Sequence, residues 1–339
     1  MVAVIAEGRV PSISVIIPVH NGGRHLPLCL AALRQSTVPP LECIVVDDGS
    51  TDGSMAAARA WGARTLETGG RNGSYIARNL GASQAQGELL LFLDADVCVQ
   101  PDTLARVADA FREDPSLDAL IGSYDDAPGG PDLLSQYRNL LHHFVHQQGQ
   151  RRASTFWTGC GAIRREVFQS MDGFFGPQRF FGDVAFGYLL AHAGRKIVLE
   201  KTLTVKHLKR WRLGEMVRTD IFRRGALWTQ LILRYRHMPD DLNLRIGQRW
   251  SVVLIFLGLG ALLAGALFRP PAAWWLLPAA LAVAYLLLNR PFLAFLARRR
   301  GRWFALRALP FSAVYHLCCG LGFLVGVLRY ARSKLLPPA

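Results

Sequence analysis

A chain of 339 residues with 51% hydrophobic content is long enough for one large domain and an additional apolar region. The net charge of +14 is unevenly distributed, since residues 1–205 hold 18 Lys/Arg and 21 Asp/Glu, whereas residues 206–339 hold 21 and 4. Basic residues between long apolar runs are typical of a protein beside an anionic membrane surface, and they argue against nucleic acid as a partner.

The six cysteines lack the paired spacing of a zinc site or a redox motif. We expect buried free thiols in a reducing compartment. Met1–Arg9 contains no basic leader followed by a sustained apolar core, so we expect no cleaved signal peptide and a first domain that stays in the cytosol.

The chain begins with a repeated design of strand, acidic edge and helix. Ser12–Asn21 predicts a strand stopped by Asn-Gly-Gly, and a helix follows over Leu26–Gln35. A second apolar strand from Leu41 ends at Asp47 and Asp48, followed by small polar residues that can cap a helix. The alternative for these two carboxylates is Asx-type capping of a turn.

The run Leu89–Leu93 predicts a buried strand, and Asp94 and Asp96 follow it on alternate positions. Two adjacent carboxylates repel each other unless a cation neutralises them, and Mg²⁺ prefers such oxygens while leaving positions for substrate phosphates. A helix over Gly73–Ala85 precedes this strand. The alternation predicts an α/β fold with a mostly parallel sheet, whose ligands bind at the carboxyl ends of the strands.

The next stretch predicts a surface helix over Pro101–Asp114, a strand over Leu117–Ser123 and a helix carrying three histidines. His142 and His146 have a spacing that can place both on one helix face, but no Glu stands between them as in His-Glu-x-x-His. A solvated or hydrogen-bonded helix face is therefore favoured over a metal site.

Four motifs in order resemble the nucleotide-sugar half of a family 2 glycosyltransferase with the Rossmann-like GT-A fold: Val15-Ile-Ile-Pro-Val-His-Asn, Val46-Asp-Asp-Gly-Ser-Thr-Asp, Ala77-Arg-Asn-Leu-Gly and Phe92-Leu-Asp-Ala-Asp. The resemblance implies a metal-dependent hexosyltransferase that uses Mg²⁺ or Mn²⁺. It implies donor-binding roles for seven residues: Pro18, His20, Asp47, Asp48, Arg78, Asp94 and Asp96. Asp47 and Asp48 would hold the base and ribose, while Asp94 and Asp96 would face the ribose and the metal-bound diphosphate.

Phe156–Arg165 looks like the acceptor half of the same family, with Trp157 and Gly159 as candidate acceptor or diphosphate contacts. The family has a Glu-Asp pair at the start of a helix, and this chain has Gly182-Asp183 instead. The resemblance implies that Asp183 is the catalytic base. Its alternative role is the N-cap of the following helix.

His207-x-x-Arg210-Trp211 resembles the Gln-x-x-Arg-Trp element of processive polysaccharide synthases, with His in place of Gln, and also the metal-reaching His at the end of several GT-A domains. We expect His207 to join Asp96 in binding the metal, and Arg210 and Trp211 to contact the diphosphate or acceptor. Trp211 can alternatively anchor the chain at a membrane interface.

The last third predicts a membrane region. Arginines alternate with apolar residues in 206–248, as in helices lying on a bilayer surface. Three uncharged runs, Ser251–Phe268, Pro270–Asn289 and Ala308–Leu328, approach the roughly 20 residues that cross a bilayer, so we expect about three transmembrane helices. The basic segment Arg290–Arg302 is expected to form a cytosolic loop.

These patterns predict a cytosolic GT-A domain over 1–205, interfacial helices over 206–248 and a transmembrane region over 249–339, in a multi-pass protein of the cytoplasmic (inner) membrane. The predicted reaction is inverting transfer from a nucleotide-diphosphate sugar to a lipid-linked acceptor, for example of polyprenyl-phosphate type, at the cytosolic face. A processive polysaccharide synthase and a non-catalytic nucleotide-sugar-binding membrane protein are the alternatives. The sugar, the nucleotide and the oligomeric state are not predicted.

Overall fold

The computed structural model describes residues 9–174 and 182–335. The chain divides into two compact units, which we call the sheet unit (Met1–Gly129 and Gly149–Lys209) and the helical unit (Gly130–Gln148 and Arg210–Ala339). The expectation about a signal peptide concerns Met1–Arg9, of which residues 1–8 lie outside the described residues.

The sheet unit contains all the strands of the described residues. They are β1 Ile13–Val19, β2 Glu42–Asp47, β3 Arg64–Glu67, β4 Leu89–Leu93, β5 Val97–Cys98, β6 Ala119–Tyr124, β7 Cys160–Arg164 and β8 Ile197–His207. With helices numbered along the whole chain, its helices are α1 Leu26–Arg34, α2 Ser54–Trp61, α3 Ser74–Ser83, α4 Thr103–Glu113, α6 Arg165–Ser170 and α7 Asp183–His192. The α/β class is confirmed.

The strands form a mixed sheet in the order β3-β2-β1-β4-β7-β6-β8-β5. β1, β2, β3 and β4 pair in parallel, as do β6 and β8, while β7 runs antiparallel to both β4 and β6. β5 pairs antiparallel with the end of β8. The first half of the sheet therefore has the predicted parallel form, and its carboxyl ends bring Val19, Asp47 and Leu93 to one edge.

The central strand β4 is buried along its whole length. Alternate residues of β1 and β4 pack beneath α1 and α4 in one apolar core. On the opposite face, Phe92 contacts an aromatic cluster that includes Phe156, Phe168 and Phe174. Burial on both faces explains the unbroken apolar run from Leu89 to Leu93.

Four of the six cysteines, Cys29, Cys43, Cys160 and Cys318, are buried, whereas Cys98 and Cys319 are half-buried. All six are free thiols, as expected.

The helical unit is built from helices throughout its described residues. They are α5 Leu133–Gln148, α8 Leu213–Arg218, a π-helical segment Thr219–Gly225, α9 Ala226–Tyr235, the 3₁₀ turns Leu242–Leu244 and Ala272–Trp275, α10 Ile246–Phe268, α11 Leu276–Leu288, α12 Arg290–Arg300 and α13 Arg302–Leu335. The helix α5 lies inside the first predicted domain but groups with these later helices.

Two described helices, α10 and α13, are long and apolar enough to cross a membrane. The second predicted span is divided, because Ala272–Leu288 and α12 meet at a bend of 61°. Counting that bent pair as one span gives the predicted three. The basic segment Arg290–Arg300 forms a helix, whose apolar side buries Phe292, Phe295 and Leu296. The cytosolic position of the segment Arg290–Arg302 between two spans stays a prediction.

Candidate active site

Five of the predicted site residues meet at the carboxyl end of β4. Asp94 and Asp96 follow that strand, while Arg78 lies on α3, Asp183 begins α7 and His207 ends β8. α3 is held against the sheet because Gly81 leaves no side chain between it and β1, where a Cβ would lie 2.6 Å from Ile16 Cγ2. Strand order and close helix packing therefore gather residues that are far apart in sequence.

Arg78 neutralises the first carboxylate of the acidic pair. Its guanidinium forms a hydrogen-bonded ion pair with Asp94 Oδ1, and its side chain is 5% exposed. Loss of hydration raises the pKa of Asp94, and the charges of Asp96 and Asp183 act in the same direction against the opposing Arg78. Asp94 thus lies within electrostatic range of both Asp96 and Asp183.

His207 approaches the second carboxylate. Its Nε2 lies 3.6 Å from Asp96 Oδ2, because β5 pairs with β8 and places Val97 opposite His207. Burial opposes ionisation of Asp96, but the hydrogen bond and charge of His207 together with the charges of Lys209 and His25 hold the pKa of Asp96 below its usual value. The His207 ring stacks on Tyr124 at 4.1 Å between centroids, which fixes its plane.

Asp96 and His207 suit a shared divalent cation. Bonds from such ions to protein donors are about 2.0–2.2 Å long, so one ion fits between two donor atoms 3.6 Å apart. No group of three or more His, Cys, Asp or Glu side chains within residues 9–174 and 182–335 is arranged to hold a metal. A cation at Asp96 and His207 therefore needs further ligands from substrate phosphates or water, as is usual for Mg²⁺.

Asp183 is the first residue of α7, and Gly182 is its N-cap. Its Oδ1 accepts hydrogen bonds from the Tyr75 hydroxyl at 3.2 Å and from Val184 N at 2.8 Å. Its Oδ2 accepts from the backbone N and the hydroxyl of Thr158, each at 3.3 Å. Asp183 is therefore the first helical residue and not the N-cap that its alternative role required, although its carboxylate accepts from one backbone N–H of the first turn.

Asp47 and Asp48 are buried at the end of β2, and both carboxylates accept hydrogen bonds from backbone N–H groups of nearby loops. Asp47 Oδ1 accepts from Ser50 N at 2.9 Å, an Asx-type turn. Asp48 Oδ1 accepts from Asn72 N at 2.8 Å, and its Oδ2 from Gly73 N at 2.9 Å, which satisfies donors at the start of α3. These contacts match the capping alternative, and a role in binding the base and ribose stays a prediction.

The remaining predicted donor residues lie on the neighbouring strand. Pro18 is buried in β1 opposite Val46. His20 follows that strand, and its Nδ1 lies 2.9 Å from the carbonyl oxygen of Asp48. The loop after His20 reaches the acidic turn, since a Cβ on Gly22 would lie 3.7 Å from Ala95 Cβ.

Trp157 and Gly159 pack against each other beside Tyr124. The Trp157 ring meets Tyr124 edge-on at 4.7 Å, and a Cβ on Gly159 would lie 2.3 Å from Trp157 Cζ2. Arg210 and Trp211 belong to the helical unit. There Trp211 N donates to the Ser135 hydroxyl at 2.8 Å, and the Arg138 guanidinium lies 5.2 Å from the Trp211 ring centroid.

The sequence favoured a solvated or hydrogen-bonded face for the histidines of α5, and their burial contradicts the solvated form but not the hydrogen-bonded one. His143 and His146 are buried, and His143 stacks on Phe295 at 5.7 Å, while His142 contacts His146 at 4.1 Å. The aromatic packing of the helical unit accounts for their burial.

Three site residues were missed from the sequence: Tyr75, Tyr124 and Thr158. Tyr75 stands three positions before Arg78, so helical periodicity alone indicates that both share a face of α3. Tyr124 and Thr158 carry no comparable local signal, because their contacts depend on strand pairing and on a loop.

Comparison with known proteins shows the fold of the chain and the family that part of it resembles. Residues 14–171 match the family model described as Glycosyl transferase family 2. This part of the chain is similar to family 2 glycosyltransferase domains. The structure of the mannosyltransferase PcManGT from Pyrobaculum calidifontis, in complex with GDP-Man and Mn²⁺, superposes with a TM-score of 0.58 at 21% identity. That match covers 94% of this chain and 88% of the other, and it establishes the GT-A fold.

Two curated relatives are also glycosyltransferases. GlyG of Streptococcus pneumoniae is 26% identical over 226 residues, covering 61% of this chain and 73% of GlyG. The 4,4'-diaponeurosporenoate glycosyltransferase of Staphylococcus haemolyticus is 33% identical over 155 residues, 43% of this chain. The chain spans only 36% of the length of that second relative.

Proposed function

We propose that this protein is an inverting, metal-dependent glycosyltransferase that moves a sugar from a nucleotide-diphosphate donor to a lipid-linked acceptor at the cytosolic face of the inner membrane. The observation that carries the proposal is the convergence of Asp94, Asp96 and Asp183 with Arg78 and His207 at one edge of a GT-A sheet. Asp47 and Asp48 line the base end of the donor site, and Asp48 holds the loop from Thr68 to Gly73 there.

Each of these residues has a separate role in an in-line displacement. Asp183 takes the proton of the acceptor hydroxyl as the new oxygen–carbon bond forms and the bond from the sugar to the diphosphate breaks. Arg78 offsets the charge of Asp94, so the acidic edge repels the anionic donor less. Asp96 and His207 would hold a divalent cation, which would supply positive charge for the leaving diphosphate.

The lipid-linked acceptor is inferred from the helical unit. α10 and α13 satisfy the length and hydropathy of membrane spans, and α10 exposes large apolar side chains such as Leu263 and Phe268. A catalytic domain joined to such spans meets acceptors that are themselves embedded in a bilayer.

A donor screen tests this function. The full chain, purified in detergent, is incubated with radiolabelled UDP- and GDP-sugars, Mn²⁺ and a total membrane lipid extract. We expect label from one donor to enter the organic phase, joined as a single sugar with inverted anomeric configuration by NMR. Retained configuration contradicts inversion, a long polymer identifies a processive synthase, and nucleotide binding without transfer identifies a non-catalytic protein.

A further inference from the structure

The carboxylate of Asp183 is held by two side chains that come from different parts of the sheet unit. Tyr75 reaches it from the first turn of α3, and Thr158 reaches it from the segment before β7. These contacts join residues separated by 108 and 25 positions in the chain. The residue before Asp183 is Gly182, which has no side chain to assist, so the two hydroxyls are the side-chain donors to this carboxylate within the described residues.

Tyr75 also links the proposed base to the donor carboxylates. The Arg78 guanidinium lies 5.2 Å from the Tyr75 ring centroid while it pairs with Asp94. The Tyr75 ring also packs against Phe174, with ring centroids 5.6 Å apart. A cation over one part of the ring and an aromatic neighbour beside it restrict the ring to one orientation, which aims the hydroxyl at Asp183.

We infer that Tyr75 and Thr158 are positioning residues that fix the Asp183 carboxylate for proton abstraction, and that Tyr75 couples this orientation to the Arg78–Asp94 pair. The inference rests on the proposed function of Asp183. An Asp side chain rotates readily about its last bond, whereas two hydroxyl donors, one on each oxygen, leave one orientation. Burial and the charge of Asp183 raise the pKa of Tyr75, so its hydroxyl stays protonated and able to donate.

The test uses Tyr75→Phe and Thr158→Val, which remove one hydroxyl each. The first variant keeps the aromatic ring and the second keeps the β-branched shape of the side chain. Kinetics are measured with the full chain in detergent, the labelled UDP- or GDP-sugar that supports transfer, and the lipid extract. We expect Tyr75→Phe to lower kcat about ten- to a hundredfold, the effect of losing a hydrogen bond to a charged group. The KM for the donor should change less than about twofold, because the hydroxyl contacts the base and not the donor.

A double-mutant cycle separates positioning from general packing. In an Asp183→Asn background, Tyr75→Phe should cause little further loss, because the carboxylate through which Tyr75 acts is already absent. Thr158→Ser should retain most activity, since it keeps the hydroxyl that Thr158→Val removes. Tyr330→Phe, at the far end of α13, is the matched control and should behave as wild type.

The kinetic results distinguish a positioning role of Tyr75 from a purely structural one. Wild-type kcat in Tyr75→Phe, or an equal loss in the Asp183→Asn background, overturns it. If Tyr75→Phe fails to fold, as shown by a lost thermal transition, the Thr158→Val and Thr158→Ser pair carries the same test. Full activity of Asp183→Asn alone would instead refute the proposed base, so the two failures are distinguishable.

Discussion

Asp96 and His207 are the protein ligands in the proposed cation site, and they act as a pair. Removing one of two protein ligands should weaken cation binding more than donor binding. We expect Asp96→Asn to raise the Mn²⁺ concentration for half-maximal transfer by about tenfold or more, since lesser changes around metal sites cost about 10–100-fold. Titration of Mn²⁺ into the chelator-treated full chain measures this.

The matched control for that titration is Asp109→Asn, because Asp109 forms a surface ion pair with Arg112 at 2.6 Å on α4. It should leave the Mn²⁺ dependence unchanged. Full activity of the wild-type chain in excess chelator would contradict the metal role of Asp96.

At the scale of single elements, the close packing of α7 against the segment Thr155–Phe156 depends on Gly187. A Cβ on Gly187 would lie 1.7 Å from Phe156 N and 2.2 Å from Thr155 C, and backbone atoms cannot yield as a flexible side chain does. We expect Gly187→Ala to reduce the free energy of unfolding by about 1–3 kcal/mol. Because α7 carries Asp183, kcat should fall as well.

Thermal unfolding followed by circular dichroism measures the destabilisation. Gly53→Ala is the control, since a Cβ at that position meets no atom within 4 Å. Equal melting temperatures for the two variants would show that α7 does not depend on this close approach.

Local sequence patterns predicted the elements that carry the site residues. They did not predict the contacts between residues far apart in the chain. The apolar run Leu89–Leu93 is β4, and the carboxylates after it lie at the predicted sheet edge. The strand β3 was not predicted, because its four residues, Arg64–Glu67, are polar and partly exposed. The Tyr75 contact with Asp183 joins residues 108 positions apart, and periodicity carries no information about such a pair.

At the scale of the whole chain, α5 packs with the C-terminal helices. Its Tyr137 and Phe144 contact Phe292 at 6.0 and 5.1 Å, and Arg138 forms a buried ion pair with Asp220 at 2.6 Å. A chain cut after Lys209 would keep α5 but lose these partners. We expect it to aggregate without detergent, because the apolar face of α5 would be exposed to water.

Size-exclusion chromatography with light scattering measures that aggregation. The same truncation with residues 130–148 replaced by a Gly/Ser linker of equal length is the matched variant, and it should be markedly more soluble. A monodisperse chain that ends at Lys209 and retains α5 would show that this helix is stable without the C-terminal region.

The central claim is that Asp183 takes the acceptor proton, and one measurement tests it most directly. In Asp183→Asn, kcat for sugar transfer and the Kd of the donor nucleotide are measured on the same purified full chain. Loss of a general base predicts a fall in kcat of about 10²–10⁴-fold with a Kd within about twofold of wild type. A kcat near that of the wild type, with ample donor present, would contradict the claim.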